Sequence, residues 1–291
     1  MRVARVTDST ASIHDVAPAL RWTVVPLEIE IDGRRYREGP ELTAAEFHRI
    51  VQQVNTPPAT LPPSVDTFAE AYAALLEEHD HVLSVHLSGR LSDTIGRARE
   101  AAQRVDAADR VTVFDTRLAG AGVGLLCAEA DARLERGEDL ASVTEAMEAI
   151  VAEAEAWFSV YTLDFLYLGG RLERQPRSGP GSADDRPILA LDDGRLELVE
   201  RVVGDTTRVE RILELIASRF GSDEPLVSAI VHAGARGEEA ASRIESVLTG
   251  ERPRPATCFR APLGPVLCAH TGFDVCGVAV YPGSLSALPV R

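Results

Sequence analysis

The chain has 291 residues, enough for about two domains at roughly 150 residues each, and each would bury a core without disulfide or metal staples. Thirty basic against 45 acidic residues leave a formal net charge of −15, which argues against a general nucleic-acid-binding or anionic-membrane-binding surface. All 30 basic residues are arginine; with no lysine the chain lacks a phosphate-loop lysine, a Schiff-base lysine for pyridoxal phosphate and a kinase strand lysine, and those enzyme classes fall away.

Val3 to Val6 reads as a short buried strand running into Thr7-Asp8-Ser9-Thr10, and Trp22 to Ile31 alternates toward a hairpin turn at Asp32-Gly33. The opening reaches an acid at Asp8, too early for the apolar region of a signal peptide, and no 18-residue apolar run follows, so a cytoplasmic location is expected. Thr43-Ala44-Ala45-Glu46 is a capping box that starts a helix to about Asn55. The prolines of Thr56 to Pro63 predict an extended loop, after which Ser64 caps a helix to about His79. A strand over Val82–Leu87, a helix from Ser92 or Asp93 to Arg104, a strand over Val111–Phe114 and a helix from Gly120 to Arg136 complete a βαβα rhythm, hence a parallel sheet.

After a helix at Leu140 to Ala154 the pattern changes, and we place a domain boundary between 156 and 157. The second half predicts a strand at Trp157 to Thr162, then a hairpin of Ile188–Leu191 with Arg195–Val203 around Asp192-Asp193-Gly194. A helix near Thr206–Arg219, a strand at Leu226–Val231 and a helix near Glu238–Leu248 follow. Strands at Thr257–Ala261 and Val275–Tyr281 flank Gly264 to Gly272. The fold class expected is α/β: an N-terminal parallel-sheet α/β/α domain (1–156) and an α+β domain with a mixed sheet (157–291). Glu173 to Arg186 has no large apolar residue and predicts a mobile loop.

In a parallel sheet, ligands sit beyond the carboxyl ends of the strands, where this chain carries Thr7, Ser9, Thr10, Ser88, Ser92, Thr94 and Thr116, with Thr60 in the proline-rich loop. Ser92 and Thr94 at a helix start suit an anion, although either is also an ordinary cap. His270-Thr271-Gly272 offers an imidazole that could donate to an anion, act as a base, or be a satisfied core histidine. Gly169-Gly170-Arg171 puts a guanidinium on a tight turn, suited to a carboxylate or phosphate. His79-Asp80-His81 is the one metal-like cluster, better explained as a solvated helix end. Cys127, Cys258, Cys268 and Cys276 form no Cys-x-x-Cys pair and are expected as buried apolar thiols.

Several of these segments resemble, in order, those of the DegV family, which includes the fatty-acid-binding subunits of bacterial fatty acid kinase. Thr7-Asp8-Ser9-Thr10 is similar to its TDS motif and Ala59 to Ser64 to its TSQPS loop. Leu87 to Thr94 resembles its LSS-x-LSGT segment, and Asp115-Thr116 with Gly120 to Gly124 its third strand and glycine-rich helix start. Leu163 to Arg171 resembles its LDYLKKGGR segment, and Gly264-Pro265 to His270-Thr271-Gly272 its GP…HTG signature. The resemblance covers nearly the whole chain.

It implies a long-chain fatty acid such as palmitate, stearate or oleate, held in an apolar tunnel between the two domains, with its carboxylate fixed by Thr60, Ser92 and His270 and with Arg171 nearby. Ser9, Thr94, Thr271 and Gly170 would support them. It further implies no catalytic centre, no metal and no cofactor of its own, the partner being the catalytic subunit of a fatty acid kinase; nucleic acid is not a partner, there is no transmembrane segment, and any membrane contact is transient. Asp93 stands where the family has glycine and is expected to face solvent or cap the helix. Two other readings compete: a regulatory or small-anion-binding module with a collapsed or polar cavity, and a serine hydrolase built from Ser92, His270 and either Asp115 or Asp8.

Overall fold

The computed structural model describes residues 1–54, 56–173, 184–252 and 256–284. Strand β1 (Val3–Asp8) leads through a 3-10 turn into the short helix α1 (Ile13–Val16) and then β2 (Thr23–Val25). Pro26, with no N–H to give a ladder, separates β2 from β3 (Glu28–Ile31), which makes a hairpin with β4 (Arg34–Arg37) in a different sheet. The single alternating run expected from Trp22 to Ile31 is therefore two strands with different partners. Asp32 and Gly33 turn the hairpin with φ of +48° and +78°, as a type I′ turn requires. Helix α2 (Ala44–Val51) carries the expected capping box but stops short of the expected end.

The proline-flanked segment is more than a loop: β5 (Ala59–Leu61) pairs antiparallel with β3, Thr60 opposite Ile29. Residues before proline are pushed toward extended backbone, which is the conformation a strand needs. Then come α3 (Val65–Leu76), β6 (His81–His86), α4 (Thr94–Arg104), β7 (Val111–Asp115), α5 (Ala121–Glu135), α6 (Leu140–Glu153) and β8 (Glu155–Ser159). The short helix α7 (Asp164–Leu168) had no periodic signal. Residues 174–183 of the expected mobile loop lie outside the described residues, and Asp185 and Arg186 already belong to β9 (Asp185–Asp192). β10 (Arg195–Val203), α8 (Asp205–Arg219), β11 (Leu226–Ala233), α9 (Gly234–Ser246), β12 (Thr257–Pro262), a second unsignalled short helix α10 (Pro265–Thr271) and β13 (Val275–Pro282) complete the order.

The fold is the expected α/β class. A parallel sheet of order β2-β1-β6-β7 and a mixed sheet of order β10-β9-β8-β13-β11-β12 are joined by a small antiparallel sheet, β4-β3-β5. In the mixed sheet only β11 and β12 run parallel. Helix α5 is buried almost all round, as its sequence of Ala, Gly, Val and Leu on every face demands. One apolar core runs from Leu83 and Val85 of the parallel sheet, through α5, to Val227, Ala229 and Ala279 of the mixed sheet. Glycines permit the approach: a Cβ at Gly122 would lie 3.0 Å from that of Ala279, and one at Gly124 only 2.3 Å from the Ala11 carbonyl. The acids of α5 are paired, Asp131 with Arg5 and Glu129 with Arg133. Among the described residues no helix is long and apolar enough to cross a membrane.

Candidate functional site

Between the small sheet, α10, the start of α5 and one face of the mixed sheet lies a cavity that, with its mouth, holds about 960 Å³ free of protein atoms. Its wall is apolar, with Leu27, Leu87, Trp157, Leu191, Val266 and Val278 among its side chains. Small residues leave the space: Gly120, Gly122, Ala156, Ala229 and Ala279 face it where larger side chains would fill it. Such a wall left empty forfeits dispersion contacts on one side, so it suits an apolar occupant. The polar side chains that line the cavity are Thr60, Ser92, Arg171, His270 and Thr271.

These are linked. Thr60 on β5 and His270 on α10 meet at 2.7 Å, Oγ1 to Nε2, across 210 residues of sequence. The imidazole's Nδ1 is buried and has no hydrogen-bond partner among the described residues. It packs on Gly169, where a Cβ would stand 2.3 Å away. Burial, and then the Arg171 charge, push the His270 pKa down to about 4, so the ring is neutral at pH 7 and carries one proton. With nothing to accept from Nδ1, that proton belongs on Nε2, donated to Thr60 Oγ1. The Thr60 hydroxyl proton is then free to point into the cavity.

Arg171 is placed by the turn that ends α7. Gly170 takes φ +68°, and the N–H of Arg171 closes on the Leu166 carbonyl at 3.0 Å, a left-handed helix cap. Its guanidinium donates to Leu91 O at 3.1 Å and Gly169 O at 2.6 Å, and it pairs with no carboxylate among the described residues. Burial lowers its pKa. Through Leu91 it reaches the loop that carries Ser92, whose hydroxyl bonds the wholly buried Thr94 at 2.9 Å. Asp93 faces solvent, its side chain 64% exposed and paired with Arg97, so its charge is turned away from this loop.

Of the remaining expected support residues only Thr271 lines the cavity. Thr94 sits behind Ser92, and Gly170 only shapes the turn. Thr271 lines the cavity while donating to Leu267 O at 3.0 Å. Ser9 is not in the cavity wall: its hydroxyl donates to Glu38 Oε2 at 2.5 Å and accepts the Leu27 N–H at 3.0 Å. The sequence does not single out Glu38, which stands in a polar hairpin stretch with no local sign of burial, and it marks Gly169 only as part of the tight turn before Arg171, with no sign of its contact with His270.

The hydrolase arrangement is not assembled. Asp8 accepts from the Thr10 backbone and hydroxyl, from His86 and from the Leu87 N–H, while Asp115 accepts from the Gly89 and Arg117 N–H groups. Neither orients His270, and Ser92 bonds Thr94 instead of an imidazole. His79, Asp80 and His81 turn apart, to the Leu75 carbonyl, the Arg2 N–H and the Thr112 hydroxyl. The four cysteines are unpaired; three are buried and Cys258 half-buried, and burial raises all four thiol pKa values, that of Cys268 to about 12.

The sequence profile of the DegV family matches residues 2–283. A DegV domain-containing protein of Deinococcus radiodurans is 33% identical over 283 residues, 97% of this chain and 99% of the relative. Among solved structures, a fatty-acid-binding DegV family protein of Thermus thermophilus superposes with a TM-score of 0.87 at 33% identity, covering 97% of this chain and all of that one. DegV of Bacillus subtilis, described as a fatty acid binding protein, superposes with a TM-score of 0.83 at 26% identity, again over 97% of this chain and all of the other. Fold, motifs and full-length similarity agree: this chain belongs to the DegV family.

Proposed function

We propose that this protein binds one long-chain fatty acid, of the palmitate, stearate or oleate class, with its tail in the apolar cavity and its carboxylate at Thr60, Ser92 and His270. The observation that carries the reading is an apolar cavity whose few polar lining side chains include the hydrogen-bonded pair Thr60–His270 and the guanidinium of Arg171. Burying about fourteen methylenes at ~0.8 kcal/mol each is worth on the order of 11 kcal/mol before association costs, so a few hydroxyl donors suffice to hold the head group. Neutral His270 acts through Thr60: by donating to Oγ1 it aims the threonine proton at the carboxylate. Arg171 supplies the charge nearby. In this reading residues 1–156 and 157–291 are two domains that enclose the ligand. The apolar walls weigh against a small-anion module.

The protein performs no chemistry in this reading. It works in the cytoplasm and presents the carboxylate to a separate, ATP-dependent kinase subunit that forms the acyl phosphate, in keeping with the absence of any lysine-based phosphate site in the sequence. The first test is mass spectrometry of an organic extract of the purified protein. A stoichiometric long-chain fatty acid is expected; an empty extract, still empty after incubation with oleate, would overturn the reading. Thr60→Val should then weaken oleate binding about tenfold and leave binding of the methyl ester little changed.

A further inference from the structure

Glu38 follows β4 at the edge of the small sheet and is buried, although it is one of the chain's many acids and has no basic partner among the described residues. Its Oε1 accepts the N–H of Val266 at 2.9 Å, and its Oε2 accepts the Ser9 hydroxyl at 2.5 Å. The residue before α10 is Gly264, with no side chain to cap the helix, and a Cβ there would fall 2.5 Å from Glu38 Oε1. The carboxylate thus enters from another sheet and takes up an N–H that helix starts leave unsatisfied. Val266 and His270 are four residues apart, so they share one face of α10, and both line the cavity. The small sheet therefore holds α10 at two points, Glu38 at its start and Thr60 at the imidazole.

We propose that Glu38 is a positioning residue for the anchor, setting His270 against Thr60 through α10 and making that alignment depend on pH. Ionised, Glu38 accepts from both donors. Protonated, its carbonyl oxygen accepts from Val266 without the charge that strengthens the bond, and its hydroxyl donates to Ser9, which must turn its own proton away, so the hold on α10 weakens. The titratable groups that act on it are Asp8 beside Ser9 and Cys268 on α10, and neither brings a positive charge. Burial raises the Glu38 pKa to about 7, chiefly by desolvation, so the change falls near neutrality.

The inference rests on the fatty-acid reading for its consequence but has its own readout, the ring nitrogen and Cε1 NMR shifts of His270 in ligand-free protein. In the wild type these should follow a titration near pH 7 without His270 itself gaining a proton. Glu38→Gln, which removes the titrating proton and the charge behind both hydrogen bonds, should abolish that titration, and it should weaken oleate binding about tenfold at slightly alkaline pH. Ser9→Ala keeps the carboxylate but removes one donor to it, so the His270 midpoint should move to higher pH. That shift covers the case in which Glu38→Gln fails to fold. Wild-type His270 shifts that ignore pH near neutrality, or a midpoint indifferent to Ser9→Ala, would overturn the proposal. If His270 responds as described while oleate binds to neither protein, the positioning role stands and the fatty-acid reading falls.

Discussion

Gly169 and His270 are in direct contact: the space a Cβ would need at residue 169 is taken by His270 Nδ1, 2.3 Å away. The glycine pair after α7 therefore does two jobs, with Gly170 at φ +68° bending the chain and Gly169 receiving the imidazole. Gly169→Ala should push the ring off Thr60, weakening oleate binding about tenfold and costing about 1–3 kcal/mol of stability. Gly170→Ala meets no atom within 4 Å, so it should cost only about 1 kcal/mol through its backbone angle and leave binding nearly unchanged. Fluorescent fatty-acid displacement and urea unfolding on the two variants check this; equal binding losses would refute the contact.

Two buried groups give opposite pH slopes. His270 titrates at 6.5 when unfolded and about 4 when folded, so between those values the unfolded chain binds more protons and stability rises with pH. Glu38 runs from 4.5 unfolded to about 7 folded, so in its window the folded chain binds more protons and stability falls as pH rises. Each shift is worth about 3 kcal/mol at full swing, and where the windows overlap they offset each other. Urea midpoints at about pH 5 and about pH 6.5 should show Glu38→Gln gaining stability with pH relative to wild type, and His270→Gln losing it. Identical slopes in both variants would contradict these assignments.

Asp8 belongs to the core and not to the ligand. Four donors converge on its two oxygens, and His86 continues through Ser84 to the Tyr72 hydroxyl, with Asp8, Ser84, His86 and Tyr72 all fully buried. An amide at this site would face a donor with a donor. Asp8→Asn should cost about 2–4 kcal/mol while folded protein still takes up oleate with near wild-type affinity. Loss of uptake in a folded variant, measured by calorimetry, would instead put Asp8 in the site.

The hairpin of β9 and β10 is tied across to the parallel sheet at its tip. Ser88 donates to Gly194 O at 2.8 Å, and Arg90 pairs with Asp193 at 2.6 Å. Gly194 needs φ +78°, and a Cβ there would lie 2.3 Å from Ser88 Oγ. Gly194→Ala should therefore cost about 1–3 kcal/mol, whereas Asp193→Ala, at an exposed pair, should change stability by less than about 1 kcal/mol. Because Leu191 and Leu196 beside the tip line the cavity, oleate release from Gly194→Ala should also be faster in stopped-flow.

What the sequence determined by itself was everything written within about a dozen residues. The βαβα order, the Thr43–Glu46 capping box, the Asp32-Gly33 and Asp193-Gly194 turns and the apolar all-round α5 follow from period, caps and backbone angles that neighbouring residues impose. The motifs carrying Thr60, Ser92, Arg171 and His270 were legible as short ordered segments that resemble those of the DegV family, and these side chains all line one cavity. Tertiary structure decided the rest. β5 is three residues among prolines, and α7 and α10 are too short to show a period; each is held by a partner far along the chain. The tautomer of His270 depends on Gly169 and Thr60, and the burial of Glu38 on Ser9 and on a helix start 228 residues away. No local pattern encodes such meetings, because the energy of a buried polar group depends on what the fold brings to it and not on its neighbours in sequence.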